Sequence, residues 1–223
     1  MSHYFENDDN LKSEIKDFKI NILNNQFIFS TDNGVFSKGE LDYGTGLLIK
    51  NILKLGLKGK VLDLGCGYGS IGIILKKILD VDITMCDINK RAVHLSKMNA
   101  KKNNALVNVI ESNGYEKIND KFNYIVSNPP IRIGKKNLYK LLIDSKDYLI
   151  DNGEMFIVVR KEQGALSLIK DMSVYYSVKT IDKAKGFLII SLKKCWLKLG
   201  FVLLIYVGDI SYSHDMKDKI IIL

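Results

Sequence analysis

The sequence predicts an α/β fold: a doubly wound, seven-stranded, mostly parallel sheet with an antiparallel last hairpin, preceded by an N-terminal β-hairpin. Three observations predict it. From residue 60 onward, short runs rich in Val, Ile and Leu alternate with segments of helical spacing, the pattern of a parallel sheet covered by helices. The first of these strands breaks into Gly65, Gly67 and Gly69, and the second ends on Asp87, so the turns at one end of the sheet are chemically distinctive. Only residues 182–186 separate the last two strands, too few for a crossover helix, so those two must pair antiparallel. A chain of 223 residues with 47% hydrophobic and 26% charged residues is enough for one core of this size.

The elements follow in order. Residues 1–16 are polar and mixed in charge, a loosely packed lead-in. Residues 18–22 and 27–29 alternate apolar and polar positions across Asn24-Asn25, which reads as a hairpin whose asparagines tolerate the left-handed turn. Residues 31–37 are a loop by their turn residues. Asp42 then caps a helical pattern of Leu47, Leu48, Ile52, Leu53 and Leu55, closed by Gly56. Strands are predicted over 61–64, 81–86, 107–110, 122–126 and, after an Asn152-Gly153 turn, 154–159. Helices are predicted over 70–79, from the cap Asn89 to about Lys102, over 138–149 and over 165–172. Strands at 174–181 and 187–192 complete the sheet. With no internal repeat and no linker rich in Pro, Gly or Ser, residues 1–193 read as one domain: hairpin, loop and helix over 1–56 and the sheet core over 57–193. Residues 194–223 form an extension of unknown role. Its apolar run at 201–207 is either an extra edge strand or a cover for a hydrophobic patch or a second copy.

Net charge is +8 and the pI near 9.2, which favours a polyanionic partner. Only Arg91, Arg132 and Arg160 among the 33 basic residues are arginine, so part of the charge reflects a general Lys, Asn and Ile bias. Cys66, Cys86 and Cys195 are odd in number and widely spaced, and His3, His94 and His214 are scattered, so neither a disulfide framework nor a metal site is indicated. The N-terminus lacks a signal-peptide pattern, and the longest apolar run falls far short of the ~20 residues of a spanning helix. A cytoplasmic protein without membrane attachment is expected; the sequence carries no signal for an oligomeric state.

Chemistry concentrates at two strand ends. Asp63-Leu64-Gly65-Cys66-Gly67-Tyr68-Gly69 joins a strand to a helix, where glycines let backbone approach a ligand and the helix start exposes free N–H groups. Asp87, 20 residues after Gly67, ends the next strand, where a carboxylate can hold both hydroxyls of a ribose. The plain alternatives are a tight structural turn and, because Gly67, Gly69 and Gly72 also match the dinucleotide spacing, a dehydrogenase site. Asp63 argues against a pyrophosphate, which it would repel, and for the ammonium group of S-adenosylmethionine. Ser127-Asn128-Pro129-Pro130-Ile131 holds both prolines of the chain just past the fourth strand. They fix φ and force Asn128 to be extended. An extended Asn128 side-chain oxygen and the Pro129 carbonyl can accept both N–H bonds of a conjugated amine and aim its lone pair at a methyl sulfonium.

These residues resemble a known family. The glycine loop with Asp87 is similar to motif one and the ribose acid of class I S-adenosylmethionine-dependent methyltransferases, and Asn128-Pro129-Pro130-Ile131 resembles the Asn-Pro-Pro motif of amino-group methyltransferases. Gly34-Val35-Phe36-Ser37, Asp42-Tyr43-Gly44-Thr45 and Ile131-Arg132-Ile133-Gly134-Lys135 resemble the methyltransferase small domain family over roughly residues 3 to 193. Its best-known members methylate guanine N2 in small-subunit (16S) ribosomal RNA. The resemblance implies a Rossmann-like core, S-adenosylmethionine as cofactor, and 16S rRNA or the small ribosomal subunit as partner. It implies cofactor contacts at Asp63, Gly65, Cys66, Gly67, Gly69, Asp87, Ile88, Asn113 and Asn128, with catalysis at Asn128, Pro129, Pro130 and Ile131. Asn113 stands where the family usually has an aspartate. Ile131 stands where adenine and glutamine methyltransferases often have an aromatic residue, which suits guanine. Substrate contacts fall to Phe36, Arg132, Lys135 and Lys136, with Lys38 nearby. Adenine N6, a protein glutamine amide, or RNA binding without catalysis are the alternatives.

Overall fold

The computed structural model describes residues 11–37 and 39–194; residues 1–10, Lys38 and residues 195–223, including the apolar run at 201–207, lie outside the described residues. Strands β1 (Lys16–Ile22) and β2 (Asn25–Thr31) form a separate antiparallel pair. Its turn is Leu23-Asn24, one residue earlier than expected, with φ of 46° and 61°. Positive φ at both central residues matches the strand twist. Phe18 pairs with Phe29 and Ile20 with Phe27, and this apolar register makes Ile22 and Asn25 the closing pair. Helix α1 (Tyr43–Leu55) starts at the Asp42 cap, whose carboxylate accepts the Thr45 N–H at 2.9 Å, and ends on Gly56 in the left-handed conformation.

The main sheet contains β3 (Gly59–Leu64), β4 (Val81–Asp87), β5 (Asn108–Glu111), β6 (Phe122–Ser127), β7 (Leu149–Arg160), β8 (Ser177–Ala184) and β9 (Phe187–Lys193) in the order β5-β4-β3-β6-β7-β9-β8. The first five run parallel; β9 is antiparallel to both β7 and β8. Helices α2 (Ser70–Ile78), α3 (Lys90–Lys102), α4 (Lys135–Tyr148) and α5 (Ala165–Met172) link them. Alternate residues of each strand enter opposite cores. Val126, Phe156 and Val158 pack with the hairpin, α1, α2 and α3, whereas Ile125, Met155 and Ile157 pack beneath α4 and α5. This is the Rossmann-like architecture expected, with the antiparallel hairpin at one edge. Among the described residues no helix is long and apolar enough to cross a membrane.

Two strand starts moved by three residues or more, for identifiable reasons. β7 begins directly at Leu149, and Asn152-Gly153 is an irregularity within it rather than a turn before it. Gly153 is required there, since a Cβ would sit 2.9 Å from the Ile150 carbonyl oxygen and 3.2 Å from that of Asn123. β8 starts at Ser177, not at 174, because the buried Tyr176 hydroxyl donates to the Leu142 carbonyl at 2.7 Å and ties the preceding turn to α4.

Strand order reverses around β3, whose neighbours are β4 and β6. Connections leave in opposite directions there, so the carboxyl ends of β3 and β6 flank a crevice. The N-terminal hairpin is fixed beside it by two asparagines one turn apart on α3. Asn103 accepts the Ile28 N–H and donates to the Ile28 carbonyl; Asn99 does the same with Ser30 and also donates to the Tyr68 carbonyl at 2.8 Å. The pair imitates a neighbouring strand for the edge of β2. Asn99 is fully buried, so Asn99→Ala strands three buried backbone groups. A loss of about 3 kcal/mol or more is expected in urea unfolding, given about 1–3 kcal/mol for each buried polar group left unpaired.

Candidate active site

The first wall is the loop after β3. Gly65 and Gly67 have φ of 71° and 57°, and a Cβ added to either would meet nothing within 4 Å, so the loop borders open space. The Gly65 and Cys66 N–H groups both donate to the Cys86 carbonyl, and the Gly67 N–H donates to the Asp87 carboxylate at 2.8 Å. The other Asp87 oxygen accepts the Asn89 N–H at 2.9 Å. Asn89 in turn caps α3 by accepting from the Arg91 and Ala92 N–H groups. Burial pushes the Asp87 carboxyl above the usual range, against these backbone donors. Gly69 caps α2, and Gly72 lets that helix approach the sheet, where a Cβ would lie 2.5 Å from the Met85 sulfur. Cys66 is buried against Ser96, and burial pushes its thiol up.

Asp63 sits beneath this loop, fully buried. Its Oδ2 accepts the Gly72 N–H at 2.8 Å; its Oδ1 is buried with no partner. Burial raises its pKa to about 7, with the Gly72 bond opposing and the Asp87 charge adding. A buried carboxylate oxygen without a donor, under a loop that leaves room beside it, fits a ligand carrying an ammonium group.

The second wall is the segment after β6. The buried Ser127 hydroxyl donates to the Leu64 carbonyl at 2.7 Å, locking the two strand ends together just before Gly65 and Asn128. The Asn128 side-chain nitrogen donates to Thr45 Oγ1 at 2.9 Å and to Asp42 Oδ2 at 3.3 Å. Thr45 Oγ1 donates to Asp42 Oδ2 at 3.3 Å. An ionised carboxylate only accepts, so the hydroxyl must donate to Asp42 and accept from Asn128. This chain of polarity fixes which way the amide faces, leaving its oxygen as the acceptor turned from α1. Pro129 is buried and Pro130 and Ile131 half-buried; Ile131 packs against the α4-side core.

The remaining expected residues are placed around this crevice. Ile88 is exposed beside Asp87. Asn113 follows β5, where the Ser112 N–H bonds the Asp87 carbonyl, so it stands beside the end of β4; its amide nitrogen donates to Glu116 at 2.7 Å. Phe36 is exposed on the loop after β2. That loop is held to the segment after Asp87 by Asn89 donating to the Gly34 carbonyl and Arg91 to the Asn33 carbonyl. Lys136 is exposed, and Arg132 lies in the short helical turn of Ile131–Ile133. Lys135 is engaged elsewhere, paired with Asp171 of α5 at 3.3 Å and over the Tyr139 ring at 4.8 Å. Asp42, Thr45 and Ser127 are the site residues that sequence reasoning left out. Among the described residues no group of His, Cys, Asp and Glu is arranged to hold a metal.

The model of the methyltransferase small domain family matches residues 26–191. The chain belongs to that family. A relative in Bacillus subtilis (strain 168), the uncharacterized protein YbxB, is 38% identical over 86% of this chain and 98% of its own length. Ribosomal RNA small subunit methyltransferase C of Haemophilus influenzae (strain PittEE) is 39% identical over 66% of this chain and 46% of its own. The small-domain chain thus spans about half the length of the rRNA methyltransferases it matches. Among solved structures, a T. thermophilus 16S rRNA N2 G1207 methyltransferase in complex with AdoMet and guanosine superposes with a TM-score of 0.70 at 21% identity, covering 83% of this chain and 52% of that one. That likeness confirms a methyltransferase fold.

Proposed function

We propose that this methyltransferase transfers the methyl group of S-adenosylmethionine to an exocyclic amine, guanine N2 of small-subunit rRNA, in the cytoplasm. The observation that carries the reading is the orientation of Asn128. Its nitrogen is committed to Thr45 and Asp42, so its oxygen is presented beside the glycine loop as an acceptor. An amine conjugated to a ring is a weak nucleophile and needs acceptors placed before charge develops on nitrogen. The Asn128 oxygen and the Pro129 carbonyl accept its two N–H bonds, holding the nitrogen lone pair toward the donor. When bound, the cofactor supplies an electrophilic methyl group. Asp63, whose Oδ1 has no partner, would hold its ammonium, the Gly65–Gly67 backbone would border it, and Asp87 would take its ribose. The amine would become cationic as its bond to the methyl carbon forms and the carbon–sulfur bond breaks, releasing S-adenosylhomocysteine as the neutral thioether, and a proton would then leave from nitrogen to water.

Ile131 favours guanine, since it packs into the core instead of offering a ring for stacking. The relatives described as rRNA methyltransferases support the RNA target. Mass spectrometry of rRNA nucleosides from a deletion strain is expected to show N2-methylguanosine reduced by one site. A drop in N6-methyladenosine instead would move the target to adenine. Unchanged nucleosides together with no S-adenosylmethionine binding by calorimetry would remove the reading altogether.

A further inference from the structure

We infer that the surface formed by Tyr43, Phe187, Arg160 and Lys185 docks a single-stranded RNA segment next to the target nucleotide. This rests on the RNA reading above and adds the surface that would hold the substrate. Three elements meet there. Tyr43 opens α1 and is 42% exposed; its ring lies 5.6 Å from that of Phe187, which opens β9. The Lys185 ammonium stands over the Tyr43 ring at 4.8 Å, and the Arg160 guanidinium over the Phe187 ring at 4.5 Å. The Lys161 N–H donates to the Gly186 carbonyl at 2.7 Å, closing the β8–β9 turn onto the end of β7. Gly44 lets α1 press against this corner, since a Cβ would lie 2.7 Å from the Phe187 ring.

Position and chemistry both point to single-stranded RNA. Tyr43 directly follows Asp42, which binds Asn128, so the aromatic pair borders the amine clamp. β6 ends at Ser127, in register with Ile157, and β7 continues three residues further to Arg160, about 10 Å along the strand. Arg160, Lys161 and Lys185 are exposed; Glu162 is the exposed acid in the turn after β7, and Asp42 is committed to Thr45 and Asn128. Aromatic rings interleaved with cations are how single strands are held without reading sequence; here Tyr43 is the exposed ring on which a base can stack while the cations take phosphate, with the half-buried Phe187 against it. A cation–π contact at an exposed site is weak, so an incoming base can displace the Lys185 ammonium from the Tyr43 face onto its own phosphate. Lys135 is worse placed for this task, because Asp171 already neutralises it.

The test is anisotropy titration of the full chain with a labelled single-stranded RNA of about 12 nucleotides, within the usual site size of single-strand binders. Tyr43→Ala is expected to weaken binding about tenfold, the cost of one lost base stack, and Tyr43→Phe to restore it. Arg160→Gln and Lys185→Gln are each expected to lower the salt dependence of log K by about one. Lys19→Ala, at an exposed lysine of β1 outside the patch, is expected to stay within about twofold of the parent. Melting curves separate loss of binding from loss of fold. The inference is overturned if Tyr43→Ala and Arg160→Gln bind as the parent does, if the parent has no affinity for single strands, or if duplex RNA binds equally well. Unchanged rRNA nucleosides with patch variants that lose RNA binding would remove only the guanine assignment. Confirmed N2 methylation with fully active patch variants would remove only the docking surface.

Discussion

Asn128→Ala is expected to lower the methyl-transfer rate by about two decades or more, the usual cost of removing one group preorganised toward a charge-developing centre. S-adenosylmethionine affinity should stay within about threefold, because the groups under the glycine loop remain in place. Single-turnover methyl transfer and calorimetry with the cofactor measure the two quantities separately. The asymmetry follows from the geometry: the Asn128 nitrogen serves Thr45 and Asp42, while its oxygen bonds nothing that holds the glycine loop. Equal losses of rate and affinity would make Asn128 a structural residue. Thr45→Val extends the argument one step outward. It keeps the shape but removes the hydroxyl through which Asp42 sets the amide orientation. A rate loss of about tenfold with unchanged cofactor affinity is expected, roughly the worth of one hydrogen bond. A valine variant with the parent's rate would show that Asp42 alone orients the amide.

The legible part of this protein was local. Asp42 and Gly56 marked both ends of α1, Asn89 marked the start of α3, and the glycines with Asp87 marked the crevice, because each is set by backbone needs within a few residues. The short hairpin link at residues 182–186 gave the antiparallel edge for the same reason. What the sequence hid was tertiary pairing. Asp42 read as a helix cap, and nothing in residues 42–45 says that the cap also grips a side chain 86 positions later. Ser127 read as the end of an apolar run, although its hydroxyl joins two strand ends 63 positions apart. Lys135 read as a free cation beside the clamp until Asp171 was found against it. Tyr43 stood only within a family-like motif and Phe187 at a strand start, because two ordinary aromatic residues become a pair only when α1 and β9 are brought together. The Asn99–Asn103 ladder was hidden likewise, its spacing being as ordinary as any polar helix face.

Asp63 supports the second large prediction, a cofactor affinity that depends on pH near neutrality. In the free protein its pKa is raised to about 7, against 3.8 for the same group in an unfolded chain. The native state therefore keeps a proton that the unfolded state has released. This group's stabilisation is present in full below about pH 4 and is lost as pH rises through 7. The loss approaches about 4 kcal/mol, from 1.36 kcal/mol per unit. An ammonium about 4 Å from the carboxylate returns roughly the same amount at an effective dielectric of 20. Binding then favours the ionised form and expels the proton. Affinity for S-adenosylmethionine is expected to rise about tenfold per pH unit approaching 7 from below, as one proton leaves. It should level off above 7 and fall again where an α-amino group deprotonates, near pH 8. Calorimetry at pH 6 in buffers of different ionisation enthalpy should register the proton leaving as the cofactor enters. Among the described residues, Asp87 is the one neighbour whose carboxyl is also raised by burial, so the Asp63→Asn variant is what separates the two. Cys86 is pushed up to about 12 and Cys66 is pushed up too, so both stay neutral, while Asp87 shapes the shift by repulsion. Asp63→Asn should abolish the slope and weaken binding by two to three decades, about the energy of the lost attraction. It should leave the free protein at least as stable at pH 8, since the unpartnered carboxylate oxygen beneath the loop is then gone. An unaltered affinity in that variant, or a pH slope that survives it, would take the ammonium away from Asp63.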